Sequence, residues 1–209
     1  MFITIDGCDG AGKTTQIALL EQWFLEQGRR VTVCRDPGGT ALGENLRSIL
    51  LLGWEIPIHP RSETLLYMAS RSQLVEELIR PALERDEVVL SDRYILSNVV
   101  YQGYGFGTPA PRGCEPEWIH QLGIVAMDGV VPELGIVLDL PVDVTLERMR
   151  QMGKPLDRLE SRGREYLERV REGFRRESRR DSRYRLIDAI GTVESVHKRI
   201  LEVVVSHQG

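Results

Sequence analysis

Eight residues near the start of the chain, Gly7-Cys8-Asp9-Gly10-Ala11-Gly12-Lys13-Thr14, have the spacing of a loop that wraps phosphate. The pattern is G-x-x-x-x-G-K-[ST]. Its glycines let backbone N–H groups turn toward anionic oxygens, and a helix opening at its end adds positive partial charge. Lys13 can reach the outer phosphates of a nucleoside triphosphate, the Thr14 hydroxyl can ligate Mg²⁺, and Thr15 follows at the same helix end. The pattern has meaning only between a strand and a helix. Phe2–Ile5 is an apolar run of strand type, and Thr14–Gln27 carries Ile17, Leu20, Phe24 and Leu25 at helical spacing. Cys8 reads as a small filler residue within the loop. By itself the loop does not separate a GTPase, an ATPase and a kinase.

Further residues with chemical potential follow later strands. Arg35-Asp36-Pro37-Gly38-Gly39-Thr40 comes after the second strand. Asp92-Arg93-Tyr94 comes after the third, with Ser97-Asn98 and Tyr101-Gln102-Gly103 one and two turns on. Asp157-Arg158-Leu159-Glu160 lies between two helical patterns. Moving a phosphoryl group between two anions requires cations around both and water kept out. Arg35, Arg71 and Arg93 could supply them. A surface position explains Arg35 or Arg71 taken singly. An Asp-Arg pair after a short apolar strand is harder to explain that way.

The elements that must position these residues alternate. Strand-like runs at Phe2–Ile5, Val31–Cys34, Val88–Leu90, Leu134–Leu140 and, more weakly, Tyr184–Ile187 are separated by helical patterns. The helices are expected at Thr14–Gln27, Glu63–Arg85 with an interruption at Pro81, Val142–Met152, Arg164–Arg180 and Val193–Val205. Such alternation predicts an α/β fold: five parallel strands covered on both faces, with ligands at the carboxyl ends of the strands. Thr108–Glu117, rich in proline and glycine, reads as a loop. The polar, arginine-bearing stretch 153–163 reads as a mobile lid. At 209 residues the chain suits one domain, 1–209.

Composition narrows the function classes. No apolar run approaches the ~20 residues of a membrane span, and the N-terminus lacks the basic and apolar regions of a secretory signal. Three cysteines, Cys8, Cys34 and Cys114, without metal-ligand spacing fit a reducing, cytoplasmic setting. The net charge is −4, yet Arg148–Arg185 holds 14 Lys/Arg against 7 Asp/Glu. Interspersed acids such as Glu165 and Glu172, four residues before Arg169 and Arg176, make that stretch a solvated helix face more than a nucleic-acid platform.

Together the motifs resemble the thymidylate kinase family of P-loop nucleoside monophosphate kinases. The resemblance covers nearly the whole chain, including Leu65-Leu66-Tyr67-Met68-Ala69-Ser70-Arg71 and Leu138-Asp139-Leu140-Pro141. It implies a three-layer α/β/α P-loop NTPase fold and transfer of the γ-phosphoryl group of ATP to dTMP. It also implies Mg²⁺ as cofactor and a homodimer. By the resemblance, Gly7 to Thr15 and Arg148 bind ATP, with Arg148 stacking on adenine. Thr14 and Asp92 hold the metal. Arg93 binds the acceptor phosphate near the transferred group, beside Arg35 and Ser97. Tyr67 stacks on thymine, Arg71 donates to its exocyclic carbonyl oxygen, and Asn98 is a second base contact. Asp9 accepts from the 3′-hydroxyl and Tyr101 crowds the 2′ position. Lys13, Arg93, Arg158 and Asp9 form the catalytic set. Gly10 stands where some relatives carry a basic loop residue, so the lid supplies the cation: Arg158 first, then Arg162 or Arg164, with Lys154 nearby. Three departures stand out: Asp36 replaces a usual glutamate, Phe106 replaces a common arginine, and the loop through Cys114 is longer. Competing readings are a kinase for another pyrimidine monophosphate, a nucleoside kinase, and a non-catalytic nucleotide-binding regulator. The acceptor-side arginines weigh against the second. The absence of an N-K-x-D sequence weighs against a guanine-specific switch.

Overall fold

Apolar residues in alternation build the centre. In the computed structural model, which describes residues 1–52, 57–107, 109–110, 114–152 and 163–208, five strands form one sheet. They are β1 (Phe2–Gly7), β2 (Val31–Arg35), β3 (Val88–Asp92), β4 (Leu134–Asp139) and β5 (Tyr184–Asp188). All pairs are parallel, in the order β2-β3-β1-β4-β5. Every residue of β1 is buried, as expected for the central strand of a covered parallel sheet. Side chains alternate between the faces. Ile3, Ile5, Val88, Leu90, Leu134 and Ile136 pack with Ile17, Leu20 and Phe24 of α1 (Lys13–Glu26) and with Ile200 and Val204 of α9 (Val193–Gln208). On the other face Phe2 and Val89 join Leu74 of α3 (Pro60–Leu74), Ala82 of α4 (Arg80–Glu84), and Ile119 and Met127 of α6 (Pro116–Met127). A third cluster sets Val137 and Tyr184 against Tyr166, Val170 and Phe174 of α8 (Arg164–Arg180).

The helix expected over Glu63–Arg85 runs through a π-helical turn, Val75–Ile79, before α4. That wide turn comes just ahead of Pro81, whose ring and missing N–H would otherwise clash with regular α geometry. Two helices lie outside the sequence expectation. The helix α2 (Ala41–Leu52) starts where the Thr40 hydroxyl accepts from the Gly43 N–H at 2.9 Å. The helix α6 begins at Pro116, inside the expected loop, with proline at a position that needs no N–H. After β3 come α5 (Ile95–Asn98), a second π-helical turn at Val99–Gly103 and a 3₁₀ turn at Tyr104–Phe106. The helix α7 (Val142–Met152) follows β4. Among the described residues no helix is long and apolar enough to cross a membrane.

Register aligns the functional edge. Ile5 pairs with Asp92, Gly7 with Leu138 and Arg35 with Asp92, so the ends of four strands open on one side. The sheet's interior tolerates little change there. A Cβ at Gly135 would lie 2.1 Å from the buried Tyr184 ring. Gly135→Ala is therefore expected to lose about 1–3 kcal/mol of stability through overpacking, read as a lower urea midpoint with unchanged slope.

Candidate active site

The strand β1 ends at Gly7 with φ 138°, and a Cβ there would stand 2.6 Å from the Leu138 carbonyl oxygen. Gly10 and Gly12 also have positive φ, and α1 starts directly after Gly12. Glycine alone takes these conformations without strain. Buried Lys13 donates to the carbonyl oxygens of Gly7 (3.3 Å) and Cys8 (3.1 Å) and stands 3.5 Å from the Asp9 carboxylate. Thr14 donates to Asp92 Oδ2 at 3.4 Å, while Asp92 Oδ1 is buried with no hydrogen-bond partner. A hydroxyl beside a partly unsatisfied carboxylate is an oxygen set that suits a small hard cation. Thr15 is exposed next to it, and Ala11 is buried. From α7, Arg148 donates to the Gly10 carbonyl oxygen at 3.2 Å. Burial, helped by the charge of Asp9, pushes the Cys8 thiol up to about 12, so it is no nucleophile near neutral pH.

Arg93 joins this loop to a second space. Its backbone has φ 70°, a left-handed conformation costly for a bulky residue, at about 1–3 kcal/mol. The turn throws its guanidinium across the strand ends. Nη1 donates to the Gly7 carbonyl oxygen (2.9 Å) and Ser97 Oγ (3.1 Å). Nη2 donates to Asp9 Oδ1 (2.7 Å) and Tyr101 Oη (3.3 Å), with the guanidinium carbon 4.9 Å from the Tyr101 ring centre. Burial pushes the Asp9 carboxyl up, but Arg93 and Lys13 outweigh it and hold Asp9 well below the usual range.

The second space is a cleft of about 490 Å³, open to solvent. Asp9, Asp36, Pro37, Arg47, Leu51, Tyr67, Arg71, Arg93, Tyr94, Ser97, Asn98, Tyr101 and Gln102 line it. Arg71 is buried; Nε donates to Asp36 Oδ2 at 2.6 Å, Nη2 donates to Asn98 Oδ1, and the guanidinium lies 5.1 Å from the Tyr94 ring centre. Asn98 donates to Gln102, which donates to the buried Glu63. Arg35 does not line the cleft. It is exposed and paired with Glu44 at 2.8 Å. Arg47 lines it instead, donating to the Pro37 carbonyl oxygen at 2.8 Å. Arg47 and Glu63 were not singled out in the sequence, and Gln102 was named only within the Tyr101-Gln102-Gly103 motif, with no role of its own. A capping threonine at 40 before Leu42, Leu46 and Leu50 was the available signal for the helix that carries Arg47. Arg158, Arg162 and Lys154 lie outside the described residues. Arg164 pairs with Asp143 at 2.6 Å on the surface.

Comparison with known proteins gives the family. The family model described as thymidylate kinase matches residues 5–200. The chain belongs to the thymidylate kinase family. Thymidylate kinase of Kosmotoga olearia is 39% identical over 203 residues, spanning 97% of this chain and 94% of that one. Thymidylate kinase of Thermosipho melanesiensis is 38% identical over 210 residues, covering 99% and 100%. The crystal structure of thymidylate kinase from Ehrlichia chaffeensis superposes with a TM-score of 0.75 at 30% identity, over 98% of each chain.

One carboxylate behind the cleft is held out of water. Asp6, fully buried, accepts from Ser97 Oγ at 2.6 Å through Oδ1, and its Oδ2 has no partner. Burial raises its pKa from 3.8 to about 6, against the opposing pull of Ser97, Arg93 and Lys13. A raised folded-state pKa means the folded chain binds the extra proton between those values. Asp6 therefore withdraws stability as pH climbs from about 4 to about 6, by up to about 3 kcal/mol. Asp6→Asn is expected to match the parent near pH 4 and to exceed it by about 1–3 kcal/mol at pH 7. Urea unfolding at the two pH values measures this.

Proposed function

We infer that the chain transfers the γ-phosphoryl group of ATP to dTMP, giving dTDP and ADP. One observation carries the reading: Arg93 bonds the phosphate loop at Gly7 and Asp9 and the acceptor cleft at Ser97 and Tyr101. A guanidinium so placed can face the transferring group from between donor and acceptor. In this reading the loop amides from Gly7 to Thr15 hold the ATP phosphates. Lys13, now on loop carbonyls, turns to the outer phosphates, and Arg148 borders the adenine. Arg93 and Arg47 meet the acceptor phosphate, with Arg35 able to join by leaving Glu44. Tyr67 offers a flat apolar face to the thymine, while Arg71, Asn98 and Gln102 read its polar edge. Asp9 accepts from the sugar 3′-hydroxyl, and Tyr101 narrows the 2′ side. Arg158 of the segment 153–163, taken from the resemblance, is the proposed lid cation.

Magnesium fits the donor set, since Asp92 has a buried oxygen without a partner next to Thr14. Bound there, it would offset charge on the ATP oxygens. Buried free thiols at Cys8 and Cys34 support a cytoplasmic setting. Exposed Ile124 and Val125 on α6 support a homodimer, to be measured by sedimentation.

Among acceptors, dTMP should lead and dUMP follow, since one methyl in an apolar pocket is worth about 1–3 kcal/mol. dCMP, UMP and AMP should trail far behind. A coupled ADP-release assay ranks them, and equal use of CMP or AMP would sink the dTMP assignment. Arg93→Gly keeps the backbone conformation without strain, so it should fold; its turnover should fall about 10²-fold or more. Near-normal turnover in that variant would remove Arg93 from the reaction.

A further inference from the structure

Four buried side chains under the acceptor cleft form one line of hydrogen bonds with charged ends. Arg71 donates to Asn98 Oδ1. Asn98 Nδ2 donates to Gln102 Oε1 at 2.9 Å, and Gln102 Nε2 donates to Glu63 Oε1 at 2.9 Å. A guanidinium only donates and a carboxylate only accepts. Both amides must therefore run in one direction, from the Arg71 end to the Glu63 end. Asn98 and Gln102 line the cleft, whereas Glu63 lies behind them.

Direction matters to a pyrimidine. A carboxamide edge sets one N–H beside one oxygen. A 4-oxo pyrimidine sets the O4 acceptor beside the N3–H donor, and a 4-amino pyrimidine sets an N–H donor beside the N3 acceptor. An amide that fits one edge has to turn over to fit the other. We propose that Glu63 is a specificity-determining residue, holding the Asn98–Gln102 amides in the direction a 4-oxo pyrimidine needs and a 4-amino pyrimidine rejects. It acts through Gln102 as a positioning residue. Turning Gln102 over would face its NH₂ to that of Asn98 and its oxygen to the Glu63 carboxylate, stranding buried polar atoms at both ends. The inference rests on dTMP being the acceptor and says how that acceptor is told from dCMP.

Glu63→Gln keeps shape while allowing the introduced amide to donate to an overturned Gln102. The ratio of kcat/KM for dTMP over dCMP is expected to fall about tenfold. The dTMP over dUMP ratio and the KM for ATP should not move, because dUMP shares the 4-oxo edge. A second variant, Asn98→Asp with Glu63→Gln, reverses the line. The new aspartate accepts from both Arg71 and Gln102, the Gln102 oxygen accepts from the new amide, and net charge is unchanged. It should shift preference further toward dCMP. A parent enzyme without dTMP preference would overturn the acceptor reading and this inference together. A preference present in the parent and unchanged in both variants would overturn this inference alone. Failure of both variants to fold would do the same, because the reversed line still sets a donor against an acceptor at each of its three junctions.

Discussion

A large side chain on a left-handed backbone governs the site. Arg93 at φ 70° is unfavourable by itself, and the strand ends around it compensate. Its own N–H continues the sheet by donating to the Ile5 carbonyl oxygen at 3.0 Å, while Ser91 Oγ donates to its carbonyl oxygen at 2.7 Å. With the backbone pinned on both sides, the guanidinium has little choice but to lie against Gly7 and Asp9. The glycine loop and the neighbouring cleft are thus joined through one planar cation.

So many cations in one place would repel, and the fold answers with its own oxygens. Lys13 rests on two carbonyls, Arg93 on Asp9, Arg71 on Asp36 and Arg35 on Glu44. These pairs differ in kind. Arg35–Glu44 is exposed and worth little, so Arg35 can leave cheaply. Arg71–Asp36 is buried, and separating it would leave charge stranded at a cost of about 3–5 kcal/mol. The surface arginine is thus free to exchange partners, whereas the buried one is fixed in the wall of the cleft.

Much of the fold was legible because its signals are local. A strand needs four or five apolar residues and a phosphate loop needs eight residues in order, so both can be read within one window. The helices α2 and α6 were not, since Gly43 inside one and proline-rich sequence before the other imitate loops. The cleft was legible only in part. Arg71 meets Asp36 and Glu63 meets Gln102 across 35 and 39 residues, and no local pattern announces such pairs. Arg35 and Arg47 look alike in sequence. Only the path of α2 brings the second to the cleft and leaves the first outside.

The wide π-helical turn at Val99–Gly103 constrains how this chain can drift over evolution. Deleting one residue would restore a regular helix there. It would also rotate everything beyond by about 100°. Tyr104 would leave Glu177, which it now reaches at 2.7 Å, and Gly105 would leave Arg169, whose Nε donates to its carbonyl oxygen at 2.8 Å. Gly173 has room only for the Tyr104 ring beside it. A length change between β3 and α6 is therefore least disruptive beyond residue 106.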